Sequence, residues 1–140
     1  MKQLASVLYP YHITADDWNN LYNTVFNAAN PTLYYPILNS PWSQMNGDEP
    51  AYYYKDLTGR VYLTGMITSG STGGNFGSVI FTLPKGFRCQ STETFVVESA
   101  NNNSVQAAQI YVNPNGNVIM GTGNNSLWIS LSTISFLAAG

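Results

Sequence analysis

The stretch Val105-Gln106-Ala107-Ala108-Gln109-Ile110-Tyr111-Val112-Asn113-Pro114-Asn115-Gly116-Asn117-Val118-Ile119-Met120-Gly121 decides the fold. Two apolar runs flank Asn115-Gly116. Both of those residues tolerate the positive φ of a tight turn, so the pair reads as the tip of a β-hairpin. Working outward, further candidate strands are Tyr52–Lys55, Arg60–Thr68, Ser78–Leu83, Glu93–Ser99 and Leu127–Phe136. Turn signals separate them at Leu57-Thr58-Gly59, Ser69–Asn75, Pro84-Lys85-Gly86, Asn101–Asn103 and Gly121–Ser126. Seven short strands at this spacing predict a mainly β domain over residues 51–140, built as a β-sandwich or a small barrel.

The alternation is informative where it breaks. Val61, Leu63 and Ile67 alternate around Gly65. In Trp128-Ile129-Ser130-Leu131-Ser132-Thr133-Ile134-Ser135-Phe136 the apolar set changes parity near Thr133. A shift of one residue turns every side chain to the other face. The sequence therefore predicts either a bulge there or a last strand covered on both faces, and the second case fits an oligomer.

Residues 1–30 follow a different period. Thr14-Ala15-Asp16-Asp17 has the form of a helix start, with Thr14 as cap and two acids in the positive first turn. Trp18, Leu21, Tyr22, Val25 and Phe26 recur at spacings of three and four, and Ala28-Ala29-Asn30-Pro31 ends the run. A helix this short is marginal alone in water and needs a surface for its aromatic stripe. That surface is either its own domain or a partner, in which case Trp18, Leu21, Tyr22 and Val25 are assembly residues. Residues 31–50 carry Pro31, Pro36, Pro41 and Pro50 and read as a Pro-rich, extended connector. Tyr34, Tyr35, Ile37, Leu38 and Trp42 make it too apolar for a free linker, so it should lie against a surface.

Composition narrows the function. Asp, Glu, Lys and Arg supply 9% of the 140 residues, against about 25% in an ordinary domain. The formal charge is -2, which excludes a basic nucleic-acid binder and a polybasic membrane-surface protein. Uncharged polar residues replace the charges, with 16 Asn, 13 Ser and 12 Thr. Hydrophobic residues make up 44%, enough for a core, and ten Tyr lead the aromatics. One cysteine, Cys89, excludes an internal disulfide framework and a cysteine zinc site. No run approaches a membrane span, and Met1 to Pro10 lacks a secretory h-region. A protein of this kind that works outside the cell is made in the cytoplasm and leaves by another route, such as lysis.

Catalysis is poorly supported. The lone histidine, His12, has no nucleophile elbow near it. Asp48, Glu49, Asp56, Glu93 and Glu98 are the candidates for a glycosidase pair, and Glu93 and Glu98 fall on opposite strand faces. No zinc or calcium spacing occurs, so no metal or cofactor is expected. Gly70–Gly77 lacks the lysine of a phosphate loop and reads as a hairpin tip. Cys89 reads as a small buried residue.

One ordered set of segments carries a resemblance. It runs Gly59-Arg60-Val61-Tyr62-Leu63-Thr64-Gly65, Phe81-Thr82-Leu83-Pro84-Lys85-Gly86-Phe87-Arg88, Asn113-Pro114-Asn115-Gly116 and Trp128-Ile129-Ser130-Leu131-Ser132 with Phe136. Over residues 51–137 this resembles the head domain of receptor-binding and tail-fibre proteins of tailed phages, especially those of Gram-positive hosts. The stretch Ile13-Thr14-Ala15-Asp16-Asp17-Trp18-Asn19-Asn20-Leu21 is similar to segments near the start of many phage fibre proteins.

The resemblance implies a β-sandwich or jelly-roll-like head, a homotrimer in the virion, and binding of host cell-surface saccharide without catalysis. Other virion proteins would be engaged through residues 1–50. Some heads present a His and an Asp to the sugar from the strand entering the Asn-Pro-Asn-Gly turn, with a Trp beyond. The matching positions here are Gln109, Tyr111 and Met120, so that ionic site is missing. A head-fibre, capsid-decorating or baseplate protein without a sugar site is the alternative.

Saccharide contact would need aromatic faces and planar polar groups. Tyr52, Tyr53, Tyr54, Tyr62, Tyr111 and Trp128 supply the first, and loop residues Asn101, Asn102, Asn103, Asn124 and Asn125 the second. The aromatics serve equally as core or subunit interface, and the asparagines as turn formers. Arg60 and Arg88 are read as interface partners for acids in preference to ligand contacts.

Overall fold

The computed structural model describes residues 12–69, 76–101, 104–122 and 128–140. The chain divides into two compact units, Met1–Pro31 and Thr32–Gly140.

In the first unit, helix α1 spans Ala15–Ala29. Thr14 caps it as its sequence requires. The Asp17 N–H donates to Thr14 Oγ1 at 3.1 Å, and the Thr14 N–H donates to Asp17 Oδ2 at 2.8 Å. This reciprocal box satisfies two donors that would otherwise be orphaned at a helix start. At the other end the backbone N–H and side-chain amide of Asn30 both donate to the Phe26 carbonyl. Trp18, Leu21, Tyr22, Val25 and Phe26 are all exposed, and the Tyr22 and Phe26 rings stack at 6.0 Å.

Ten strands are described in the second unit: β1 (Ser43–Gln44), β2 (Tyr52–Lys55), β3 (Arg60–Thr64), β4 (Met66–Thr68), β5 (Val79–Thr82), β6 (Glu93–Asn101), β7 (Ser104–Val112), β8 (Asn117–Met120), β9 (Trp128–Ser130) and β10 (Ser135–Leu137). They form a seven-stranded sheet in the order β1-β4-β9-β6-β7-β8-β5 and a three-stranded sheet in the order β10-β3-β2. Every pairing between these strands is antiparallel. The unit is mainly β with a sandwich-like arrangement. Inner-face residues of both sheets, among them Val61, Leu63, Phe136, Ile67, Ile110, Met120 and Ile129, join one core. Phe95 of the large sheet meets Phe136 of the small one at 6.4 Å.

The deciding hairpin is present as β7 and β8. Its turn covers residues 113–116, with the Gly116 N–H donating to the Asn113 carbonyl at 2.8 Å. The positive φ falls on Gly116, at 95°. A Cβ there would run into the Leu83 carbonyl. The hairpin tip therefore packs on the turn after β5, and the two motifs that looked separate in the sequence are one structural unit.

Two expected strands divide. Arg60–Thr68 is broken at Gly65, and β3 and β4 lie in different sheets. The last strand is broken at residues 131–134, so β9 and β10 also lie in different sheets. These segments run beside each other: β3 pairs with β10 and β4 with β9. Between them Leu63 N–H donates to the Ile134 carbonyl and Leu131 N–H to the Gly65 carbonyl. They form one bent ribbon shared by both sheets. The parity change near Thr133 is thus neither a bulge nor a doubly covered strand. It is the corner at which the chain changes sheets, which buries both Leu131 and Ile134. A bulge does occur between Val79 and Phe81, and it buries the adjacent Ile80 and Phe81 together.

The proline-rich segment packs within the β unit. Trp42 is buried and its indole N–H donates to Ser78 Oγ. Asn39 N–H donates to the Ile80 carbonyl, Tyr34 bridges to Tyr53, and β1 pairs with β4. Cys89 is buried, and its thiol donates to the Val112 carbonyl at 3.3 Å. Burial pushes its pKa up.

Candidate functional site

Alternation along β2 separates three consecutive tyrosines. Tyr53 turns inward and packs against Tyr34 and Phe87. Tyr52 and Tyr54 turn to the outer face of the small sheet, where β3 adds Tyr62 opposite Tyr54. The rings form a continuous row. Tyr62 stacks on Tyr54 at 5.0 Å, Tyr54 on Tyr52 at 6.4 Å, and Tyr35 lies 5.9 Å from Tyr52. These separations are within the range of favourable ring contacts.

Two carboxylates hold the row. Tyr52 hydroxyl donates to Glu49 Oε1 at 2.8 Å and Tyr62 hydroxyl donates to Asp56 Oδ2 at 3.1 Å. Each bond stabilises the neutral phenol, and each tyrosine's pKa is raised chiefly by it. Asp56 is pulled down, first by the Thr58 hydroxyl and then by the Arg60 N–H and Tyr62. Among the described residues no cation pairs with Glu49 or Asp56, and the Tyr54 hydroxyl makes no hydrogen bond. Arg60, on the same face, donates to Ser135 Oγ at 3.1 Å. A cleft of about 420 Å³ adjoins the row through Tyr35, with Ile37, Asn39, Thr82 and Pro84 in its lining.

The residues picked for sugar contact do not all meet. Trp128 is half-buried on β9 opposite Ala100, close to Asn101 at the end of β6. Tyr111 lies six residues along β7 from the Val105 that faces Ala100, so it is roughly 20 Å away along the strand. Tyr111 donates to Gln109 Oε1 at 2.9 Å, and Thr122 donates to the same oxygen. Met120 is fully buried in the core. Asn102, Asn103, Asn124, Asn125 and residues 70–75 lie outside the described residues. Arg88 Nε donates to the Leu83 carbonyl within the chain.

The sequence did flag Tyr52, Tyr54 and Tyr62, but it grouped them with Tyr53, and it named Glu49 and Asp56 only as glycosidase candidates and Tyr35 only as an apolar connector residue, without joining them to the row. The usable signal was the period of two along β2. The contributions of Glu49 and Tyr35 come from turns and a connector whose course no periodicity reveals.

Among the described residues no group of three or more His, Cys, Asp or Glu is placed to hold a metal ion. No helix of the described residues is long and apolar enough to cross a membrane. No protein-family model and no curated protein matches the chain. Among solved structures, the chain is similar to the receptor binding protein (gp15) of Listeria phage PSA. The TM-score is 0.63 at 13% identity, covering 98% of this chain and 87% of that one. The two share a fold.

Proposed function

We propose that this chain is a non-enzymatic phage virion protein, the head of a trimeric fibre or tail tip that binds saccharide on the host cell surface. The observation that carries this reading is the fold shared with a phage receptor-binding protein over 98% of the chain. The ordered motifs of residues 59–136 support it independently. The protein belongs to the particle, assembled in the host cytoplasm and released with it. Residues 1–50 would then face other virion proteins.

Labelled chain should bind intact Gram-positive cells saturably, and wall polysaccharide isolated from those cells should compete. Absence of binding across a panel of such cells would sink the reading. One observation favours a structural head-fibre, capsid-decorating or baseplate role instead. The positions matching a known ionic sugar site are Gln109, Tyr111 and Met120; the first two bond each other, and the third is core. Incorporation into particles without any cell binding would favour that second reading.

A further inference from the structure

We infer that the tyrosine row of the small sheet is the saccharide site of this head, and that it takes an uncharged hexose or N-acetylhexosamine rather than a phosphate-bearing polymer. The inference rests on the receptor-binding reading above and names the surface and ligand class within it.

Three observations carry it. First, Tyr62, Tyr54, Tyr52 and Tyr35 run in unbroken ring contact across two strands and a flanking segment. The apolar C–H face of a pyranose packs on aromatic carbon, so such a row offers several adjacent stacking positions. Second, Glu49 and Asp56 are acceptors along it, already holding Tyr52 and Tyr62. An ionised carboxylate has about four lone-pair sites. Asp56 already fills them with the Thr58 N–H and hydroxyl, the Arg60 N–H and the Tyr62 hydroxyl, whereas Glu49 accepts only from Tyr52 and Thr64 and retains capacity for a sugar hydroxyl or amide N–H. Such charge-assisted bonds are roughly twice as strong as neutral ones. Third, Tyr54, in the middle, has a hydroxyl with no hydrogen-bond partner among the described residues.

Charge selects the occupant. A second copy of this chain laid on the row would take out of water two carboxylates that no cation of the row pairs, which is unfavourable. A polyol phosphate would meet the same two negative charges, against the single Arg60 that already donates to Ser135. An uncharged sugar brings hydroxyl donors for the Glu49 carboxylate, oxygen acceptors for the Tyr54 hydroxyl and C–H faces for the rings, with no charge to oppose the carboxylates.

The test uses the full chain against an array of neutral hexose and N-acetylhexosamine oligosaccharides beside poly(glycerol phosphate). Binding to a neutral oligosaccharide is expected. Tyr54→Phe keeps the stack and removes one hydroxyl. Glu49→Gln keeps the shape and removes one charge. Each should weaken binding by about tenfold or more while the melting transition stays cooperative. Preference for poly(glycerol phosphate), or for nothing on the array, overturns the inference. So does a variant that lowers oligomeric mass while sugar binding persists, since the row would then be a subunit interface. If the wild-type chain binds cells and both variants bind them equally well, this site is wrong and the receptor-binding reading stands. Failure of the wild-type chain to bind cells removes both.

Discussion

Gly59 and Gly65 share a backbone conformation but not a neighbourhood. Their φ values are 84° and 93°, a region that costs an L-residue roughly 1–2 kcal/mol. A Cβ on Gly59 would meet nothing within 4 Å. One on Gly65 would run into the Pro50 carbonyl and lie 2.7 Å from Ala51 Cα. Gly65→Ala should therefore destabilise by at least about 2 kcal/mol more than Gly59→Ala. Urea unfolding of the two variants checks this, and equal costs would refute it. In the sequence Gly65 was visible only as a gap in an alternating strand. Its reason, the close passage of residues 50 and 51, is a long-range contact that local pattern cannot contain.

The tyrosine row makes a second prediction at this scale. Tyr52 and Tyr62 donate to carboxylates, so their ionisation is deferred above the ordinary tyrosine range near pH 10. The folded pKa exceeds the unfolded one. The linked stabilisation is therefore complete below about pH 10 and fades as pH rises through the elevated folded values. Phenolate absorbance should show a late-titrating class, and Glu49→Gln should move one tyrosine out of it toward the ordinary range. A titration unchanged by that substitution would show that Glu49 does not hold Tyr52 in solution.

Among the elements, the bent ribbon of β3–β4 against β9–β10 organises the β unit. It joins two sheets because each of its segments turns a corner at the same level, at Gly65 and at residues 131–134. Phe136, just past the second corner, is 1% exposed and meets Phe95 across the core. Phe136→Ala should cost about 3–5 kcal/mol, since it empties a site walled by both sheets. A loss below about 1 kcal/mol in urea unfolding would mean that the sheets do not share this core.

The legibility of these elements followed how local their causes were. Helix α1 and the β7–β8 hairpin were readable because Thr14, Asp17, Asn113 and Gly116 act within four residues of their partners. Strand β1 and the packing of Trp42 were not, because Ser43 and Trp42 find partners at Thr68 and Ser78. The parity change was seen at the right place and misread, since a corner and a bulge leave the same trace in a period of two.

At the scale of the whole molecule, two features bear on assembly: the scarcity of charge and the helix stripe. With 9% charged residues the surface does little to repel copies of itself. Trp18, Leu21, Tyr22, Val25 and Phe26 are each 52–66% exposed along one helical stripe. An amphipathic helix of 15 residues gains most of its stability by burying such a stripe. Three copies meeting on it would bury all five side chains at once, and the stripe contains no charged residue to oppose that. The acids of α1, Asp16 and Asp17, sit in the first turn, where they complement the helix dipole. On the trimer proposal the full chain should scatter light as three times 15.3 kDa. Trp18→Asp combined with Leu21→Asp should return it to the single-chain mass with the β unit still folded, as judged by an unchanged melting transition. A wild-type mass near that of one chain would end the trimer proposal. A trimer that survives the double substitution would place the contact on the β unit instead of α1.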